Sequence, residues 1–241
     1  TISAVNLSQS WRNCSGLTSF PLINTIAVTN LTSAWRGCSG LGTGSPAEAG
    51  FPLINTTLVN NFNNAWNGCS GLTSFPLIDT SGGTGRFDAA WFGCSGLTSF
   101  PAIDTSNGTN FNNAWYLCSV LTSFPALDFS SVTGANFQNV WNGCSGLLSF
   151  PLITGTSLIQ NMSGTWASCS GLGSGSPAET GFPLIDTSSC TSFSNTWSNC
   201  SGLTSFPLIN TSSGTNFFNA WFGNSSLTSF PAIDTSSAVL H

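Results

Sequence analysis

The nine tryptophans stand at positions 11, 35, 66, 91, 115, 141, 166, 197 and 221, and this spacing limits the possible folds more than any other feature. Successive gaps are 24, 31, 25, 24, 26, 25, 31 and 24 residues. Both gaps of 31 contain an insertion of about seven residues, so the underlying period is 24 to 26. Each Trp sits in a strict or loose copy of one phrase, Phe-x-x-Ala-Trp-x-x-Cys-Ser-x-Leu-Thr-Ser-Phe-Pro-x-Ile-Asp-Thr-Ser, followed by a join rich in Gly, Ser and Thr. Self-similarity at such a period is the mark of a solenoid. A single unit cannot bury its Trp, Phe, Leu and Ile alone, whereas stacked units share one continuous core.

Inside a unit, Phe111, Ala114, Trp115 and Cys118 lie at i, i+3, i+4 and i+7, the spacing of one face of a short helical arc. Leu121, Phe124 and Leu127 follow at steps of three across Pro125. A residue before proline is pushed toward extended backbone, so Leu-Thr-Ser-Phe reads as a short strand. Asp-Thr-Ser and Asn-Gly-Thr supply turns. The fold expected is a repeat solenoid of leucine-rich-repeat-like coils of about 24–26 residues, each with a short strand and a short helical arc. The coils stack with a parallel sheet on one face. Residues 1–241 form one such domain of about nine repeats, with loop insertions at 42–50 and 173–181. At the ordinary strand spacing each coil advances about 5 Å, so nine coils make a rod or shallow arc of about 45 Å. The core of one unit is Trp91, Cys94, Leu97, Phe100 and Ile103, and Pro101 with Asp104 turns the corner.

Composition then removes several classes of function. Hydrophobic residues make up 40% of the chain, including nineteen Phe, which is enough to fill a core and sets aside disorder. Only 5% of residues are charged; the bases are Arg12, Arg36 and Arg86, there is no Lys, and the net charge is -5. Such a chain has no basic patch with which to neutralise nucleic-acid phosphates or to seek an anionic membrane surface. No run of eighteen apolar residues marks a membrane-spanning helix. Both ends fall within a repeat and neither carries a polar cap, so a longer parent chain is expected.

Ala-Trp-x-x-Cys-Ser-x-Leu-Thr-Ser-Phe resembles the Ala-Phe-x-x-Cys-x-x-Leu-x-x-Ile signature of BspA-like leucine-rich repeat surface proteins. It is also similar to bacterial surface proteins with 26-residue repeats, which use a Cys-Ser-x-Leu-Thr-Ser core followed by Asp-Thr-Ser. The resemblance runs over essentially the whole chain. It departs in placing Trp where the family has Phe, and Phe-Pro where it has an aliphatic strand. It implies cell-surface or viral-fibre proteins that adhere to hosts or matrix without enzymatic activity.

The residues that most suggest chemistry are repeated too regularly to form one site. Cys14, Cys38, Cys69, Cys94, Cys118, Cys144, Cys169 and Cys200 share one slot, with Asn224 in the last unit. The close pairs that metal ligation needs are absent, as is the electropositive setting of a redox thiol. Stacked neighbours point the same way, which disfavours disulfide torsions. A ladder of buried thiols is expected, with Cys190 alone off it as a candidate exposed thiol. Asp79, Asp104, Asp128, Asp186 and Asp234 share a column with Asn24, Asn55 and Asn210. Free exchange of Asp for Asn favours corner-forming Asx residues over a calcium ladder, so no cofactor is expected. His241 is the lone His and no Lys exists, which leaves nucleophilic triads and dyads without a base. Gly82-Gly-Thr-Gly85 lacks the Lys and the strand–helix context of a phosphate loop.

The phrase is broken most clearly at the two insertions, which hold both Glu residues. Insertions in repeats map to loops on one face, often the binding face, which makes Glu48, Glu179, Ser45 and Ser176 candidate binding residues. Tyr116 joins them, with Phe92 and Phe222 as further aromatics at variable positions. The function expected is a non-enzymatic extracellular adhesion or recognition solenoid of a cell surface or virion. Its partners would be host-surface glycans or proteins. A self-assembling rod that partners copies of itself is the alternative. An ice-binding solenoid using Thr73, Thr98, Thr122, Thr204 and Thr228 is the second, and a glycan-cleaving enzyme the weakest, because nothing supplies an acid/base pair.

Overall fold

The structure, a computed structural model, describes residues 4–44, 50–82, 85–174 and 182–239. Its nine indoles stack in one column, with neighbouring rings 5.2 to 5.7 Å apart and 3 to 13° from parallel. A second column of Phe runs beside it, from Phe20 to Phe230. Each of these rings stands edge-on to the Trp of its own coil, as with Phe51 on Trp35 at 4.7 Å and 73°. Edge-to-face pairs suit the ring quadrupoles and add about 0.5–1.5 kcal/mol each beyond burial. Trp91, Cys94 and Leu97 are fully buried, with Phe100 and Ile103 nearly so.

The stretch around each Trp is not a helix; among the described residues there is none. Around Trp35, the N–H groups of Leu31, Ser33, Trp35 and Gly37 donate to the carbonyls of Asn61, Asn63, Ala65 and Asn67 in the next coil, at 2.7–2.9 Å. The N–H groups between them turn back inside the coil, from Ala34 to Leu31, Arg36 to Ser33 and Cys38 to Trp35, at 3.0–3.2 Å. The coils of Trp66, Trp91 and Trp115 repeat this alternation. The arc is therefore a chain of overlapping tight turns whose odd amides point along the stack.

Positive φ enforces that geometry. Two columns are left-handed throughout: the residue two before each Trp, such as Asn64 (φ 55), and the residue two after, such as Gly68 (φ 76). A left-handed residue every fourth position prevents the i→i−4 bonds of an α-helix from propagating. The apolar positions at i, i+3, i+4 and i+7 still face inward, so the burial pattern is helical while the backbone is not. Asn and Gly recur in both columns because they tolerate this region best.

The expected parallel sheet is also absent in its full form. Coils pair through isolated parallel bridges, the longest series being Asn6, Asn30, Asn61, Arg86 and Asn110. These bridge residues open the arc, and the Asn side chains accept the N–H two residues on, as from Thr32 to Asn30 at 2.8 Å. Leu-Thr-Ser-Phe forms no multi-residue strand among the described residues; its backbone contributes single rungs such as Thr122 N–H to Thr98 O at 3.0 Å. The proline that follows is the reason. It closes a three-residue turn, with Ile103 N–H donating to Pro101 O at 2.9 Å, which ends extended pairing and throws the intervening residue outward.

Leu117 and Ala89 occupy left-handed positions (φ 59 and 50) where most other coils use Gly or Asn. An L side chain in this region costs about 1–2 kcal/mol, part of which glycine returns through its freer unfolded chain. Leu117→Gly should therefore raise unfolding stability by about 1 kcal/mol, read as a higher urea midpoint at unchanged slope. A drop in midpoint would mean that strain at this column is not a cost the fold carries.

Candidate functional site

The cysteine ladder is hydrogen-bonded as well as buried. From Cys38 to Cys200 each thiol points at the Trp carbonyl of the preceding coil, at 2.9 to 3.2 Å. All nine cysteines are free, and Cys14 in the first coil is the exposed one. Cys190 is not exposed: it is fully buried in the core position that Val28, Val59, Val132 and Ile159 fill elsewhere, and its thiol donates to Ser192 O at 3.3 Å. The sequence placed it in a joining turn; that turn folds inward, and the slot takes a buried apolar side chain in five coils and Gly at Gly108 and Gly214. Burial pushes the thiols upward, to about 12 for Cys190 and Cys200, and well above the ordinary value for Cys94, Cys118 and Cys169. Thiols held this firmly in the neutral form are neither nucleophiles nor metal ligands.

The Asp-Thr-Ser triplet divides its work by residue. Asp104 Oδ1 accepts Ser106 N–H at 2.9 Å and its hydroxyl at 2.7 Å, closing an Asx turn. Asn55 and Asn210 do the same with Thr57 and Ser212. In Asp79 the donated Ser81 hydroxyl and N–H hold the carboxyl below its ordinary value. The Thr between them is buried and crosses the stack, as with Thr56 Oγ1 on Asp79 O at 2.5 Å and Thr187 Oγ1 on Asn210 O at 2.6 Å. Phe129 takes the Thr slot in one coil and packs edge-on to Phe111 and Phe137, both at 5.0 Å. Among the described residues no three His, Cys, Asp or Glu side chains gather as a metal site would need. The outward Thr column also serves as rungs: Thr98 Oγ1 donates to Thr73 O at 3.3 Å and Thr122 Oγ1 to Thr98 O at 3.1 Å.

With Cys, Asp and buried Thr accounted for, the variable chemistry lies on the outer face of the arc. The residue after most Trp projects there, and across the stack it changes from Arg12 and Arg36 to Asn67, Phe92, Tyr116 and Asn142, while Ala167 and Ser198 are buried in this slot. Tyr116 is half-buried because its ring lies flat against Phe92, at 4.9 Å and 4°. Arg86 and Asp88 pair nearby at 3.4 Å. Of the candidate residues at the insertions, Ser45, Glu48, Ser176 and Glu179 lie outside the described residues, so Tyr116 alone is placed. A depression of about 330 Å³ opens on the same face over the coils of Trp141, Trp166 and Trp197, lined by Asn, Ser, Gly and Ala. Its signal in the sequence is the loss of the common residues in two units, where Gly164 and Ala167 replace bulkier side chains and Thr165 and Thr196 replace Ala.

No protein-family model matches the chain, and no curated protein matches it. Among solved structures it is similar to a leucine-rich repeat protein from Bacteroides ovatus, with 17% identity and a TM-score of 0.39. That alignment covers 87% of this chain and 62% of the other, so the chain spans less than two thirds of that protein's length.

The thiol ladder makes the fold sensitive to alkali. Folded-state values lie above the ordinary thiol value of 9.0, so the stabilisation is complete below that pH. It falls as pH rises beyond it, because the unfolded chain then releases protons that the fold retains. Each such thiol contributes about 1.4 kcal/mol of lost stability per pH unit in that window. Under reducing conditions the urea midpoint should drop steeply above about pH 9, and Cys118→Ala should make that drop shallower by one thiol's share. An unchanged slope in Cys118→Ala would show that the buried ladder does not control the response.

Proposed function

We propose that the chain is a non-enzymatic recognition solenoid of a cell surface or virion, binding polar ligands such as glycans or host surface proteins through the outer face of its arcs. One contrast carries this reading. The inward positions of the arc repeat almost unchanged, whereas the outward residue after Trp runs through Arg36, Asn67, Phe92, Asn142 and Phe222. A frame held constant beneath a varied polar and aromatic surface is how repeat proteins present binding faces. Support also comes from the groups with catalytic potential, since burial holds the ladder thiols such as Cys94 neutral and the aligned acids close turns. No helix among the described residues is long and apolar enough to cross a membrane.

A second reading, association with further copies of itself, rests on a different surface. The residue after each Pro forms an exposed ridge: Leu22 at 72%, Leu53, Leu77, then Ala102 and Ala126, then Leu152, Leu184 and Leu208. Two runs of three leucines form a contiguous apolar strip of the kind that marks contact surfaces.

On a glycan array the recombinant chain should bind a restricted set of structures; uniform background across host glycans would count strongly against the recognition reading. Sedimentation over a wide concentration range addresses the second reading. Association that Leu53→Ser and Leu77→Ser weaken supports it, and a monomer at every concentration removes it.

A further inference from the structure

The outer face of the arc is interrupted at the coil of Trp166. Two residues before this Trp the left-handed position holds Gly164 (φ 64), where most other coils carry Asn. A Cβ built there would collide with Asn139 Oδ1 of the preceding coil, so the gap and the Asn139 amide are fitted to each other. Ala167 and Ser168 keep the following positions small, and the result is the depression of about 330 Å³. That volume is at the lower end of ligand clefts, and no charged side chain lines it.

Its polar atoms are arranged rather than scattered. Asn142 Nδ2 donates to Asn139 Oδ1 at 3.1 Å, which leaves the Asn142 carbonyl as acceptor and the Asn139 amide as donor beside it. Asn195 Nδ2 donates to Ser194 Oγ at 3.1 Å and likewise keeps its carbonyl oxygen for a ligand. Leu117 N–H donates to Asn142 O, so Tyr116, its ring supported by Phe92, stands on the coil next to the depression on one side. On the other side Asn195 N–H donates to Phe218 O and Asn199 N–H to Phe222 O, so the exposed Phe218 and Phe222 stand on the coil beyond it.

We infer that this depression is a binding site for a neutral oligosaccharide, with a pyranose ring packed on Tyr116 and its hydroxyls met by the Asn139–Asn142 amide pair. The inference rests on the recognition reading above and assigns it a site and a ligand class. A sugar ring has one apolar C–H face and a rim of hydroxyls. An aromatic face with negative quadrupole suits the first, and adjacent amide donor and acceptor arms suit neighbouring hydroxyls. An acidic sugar would place a carboxylate here without a cation to balance its desolvation. The coil spacing of about 4.8 Å is comparable to the advance of one sugar in an extended glycan, so a chain laid along the stack meets about one coil per residue.

The test is calorimetric titration with neutral and sialylated oligosaccharides drawn from the array. It compares the parent chain with Tyr116→Ala, Asn142→Ala and the control Thr57→Ala, which removes an exposed hydroxyl from an Asx turn away from the arc. Circular dichroism establishes that each variant folds. Neutral glycans should bind, Tyr116→Ala and Asn142→Ala should each weaken binding about tenfold or more, and Thr57→Ala should leave it unchanged. Glycan binding that survives both variants, or that requires sialic acid, overturns the site while leaving recognition intact. Absence of binding to any glycan overturns both.

Discussion

Everything in this protein depends on how the arc spends its backbone amides. An α-helix would direct each N–H to a carbonyl in its own chain, and coils built that way would touch only through side chains. Here every second amide is turned along the stack and donates to the next coil, while the amides between close tight turns. The left-handed residues two before and two after each Trp force the division. Coil-to-coil cohesion is thereby backbone-borne, and it sets the spacing at which indole lies on indole and thiol reaches carbonyl. The columns of Trp, Phe, Cys and Thr follow from that spacing.

Much of this is written in the repeat. The buried faces of Phe111, Ala114, Trp115 and Cys118 are legible because apolar periodicity reports which side of a segment faces inward. What periodicity does not report is the sign of φ. Asn-x-Trp-x-Gly, as at Asn64 to Gly68, is the visible trace of two left-handed positions, and only the hydrogen-bond pattern shows what they accomplish. The strand expected before Pro failed for a related reason. A Pro that closes a three-residue turn stops the ladder after one rung, and the sequence marks the Pro without marking that turn.

The chemistry-bearing residues were legible as a class and misplaced in one instance. Eight cysteines in one slot announce a ladder, and the ladder is what forms. Cys190 looks exposed because it stands among Ser and Thr, yet its turn folds over the core and carries it inward. Aligned Asp and Asn likewise announce a geometric role, and the Asx turns at Asp104 and Asn210 show it to be shared by amide and carboxylate. The outer depression was the least legible feature. It arises from what two units lack, and an absence becomes a cavity only when three coils stand side by side.

By itself the sequence determined the period, the one-per-coil columns and the inward residues, because these follow from spacing. Tertiary structure decided the rest: that the arcs are turns, that the residue after Phe-Pro is thrown outward, that Cys190 is buried, and that a polar depression opens on the coils after that of Tyr116. The physical reason is that each depends on which carbonyl a backbone amide finds, in a neighbouring coil 23 or more residues away for the arc and within a tight turn for Pro101 to Ile103 and Thr187 to Cys190, and apolar spacing does not record that choice.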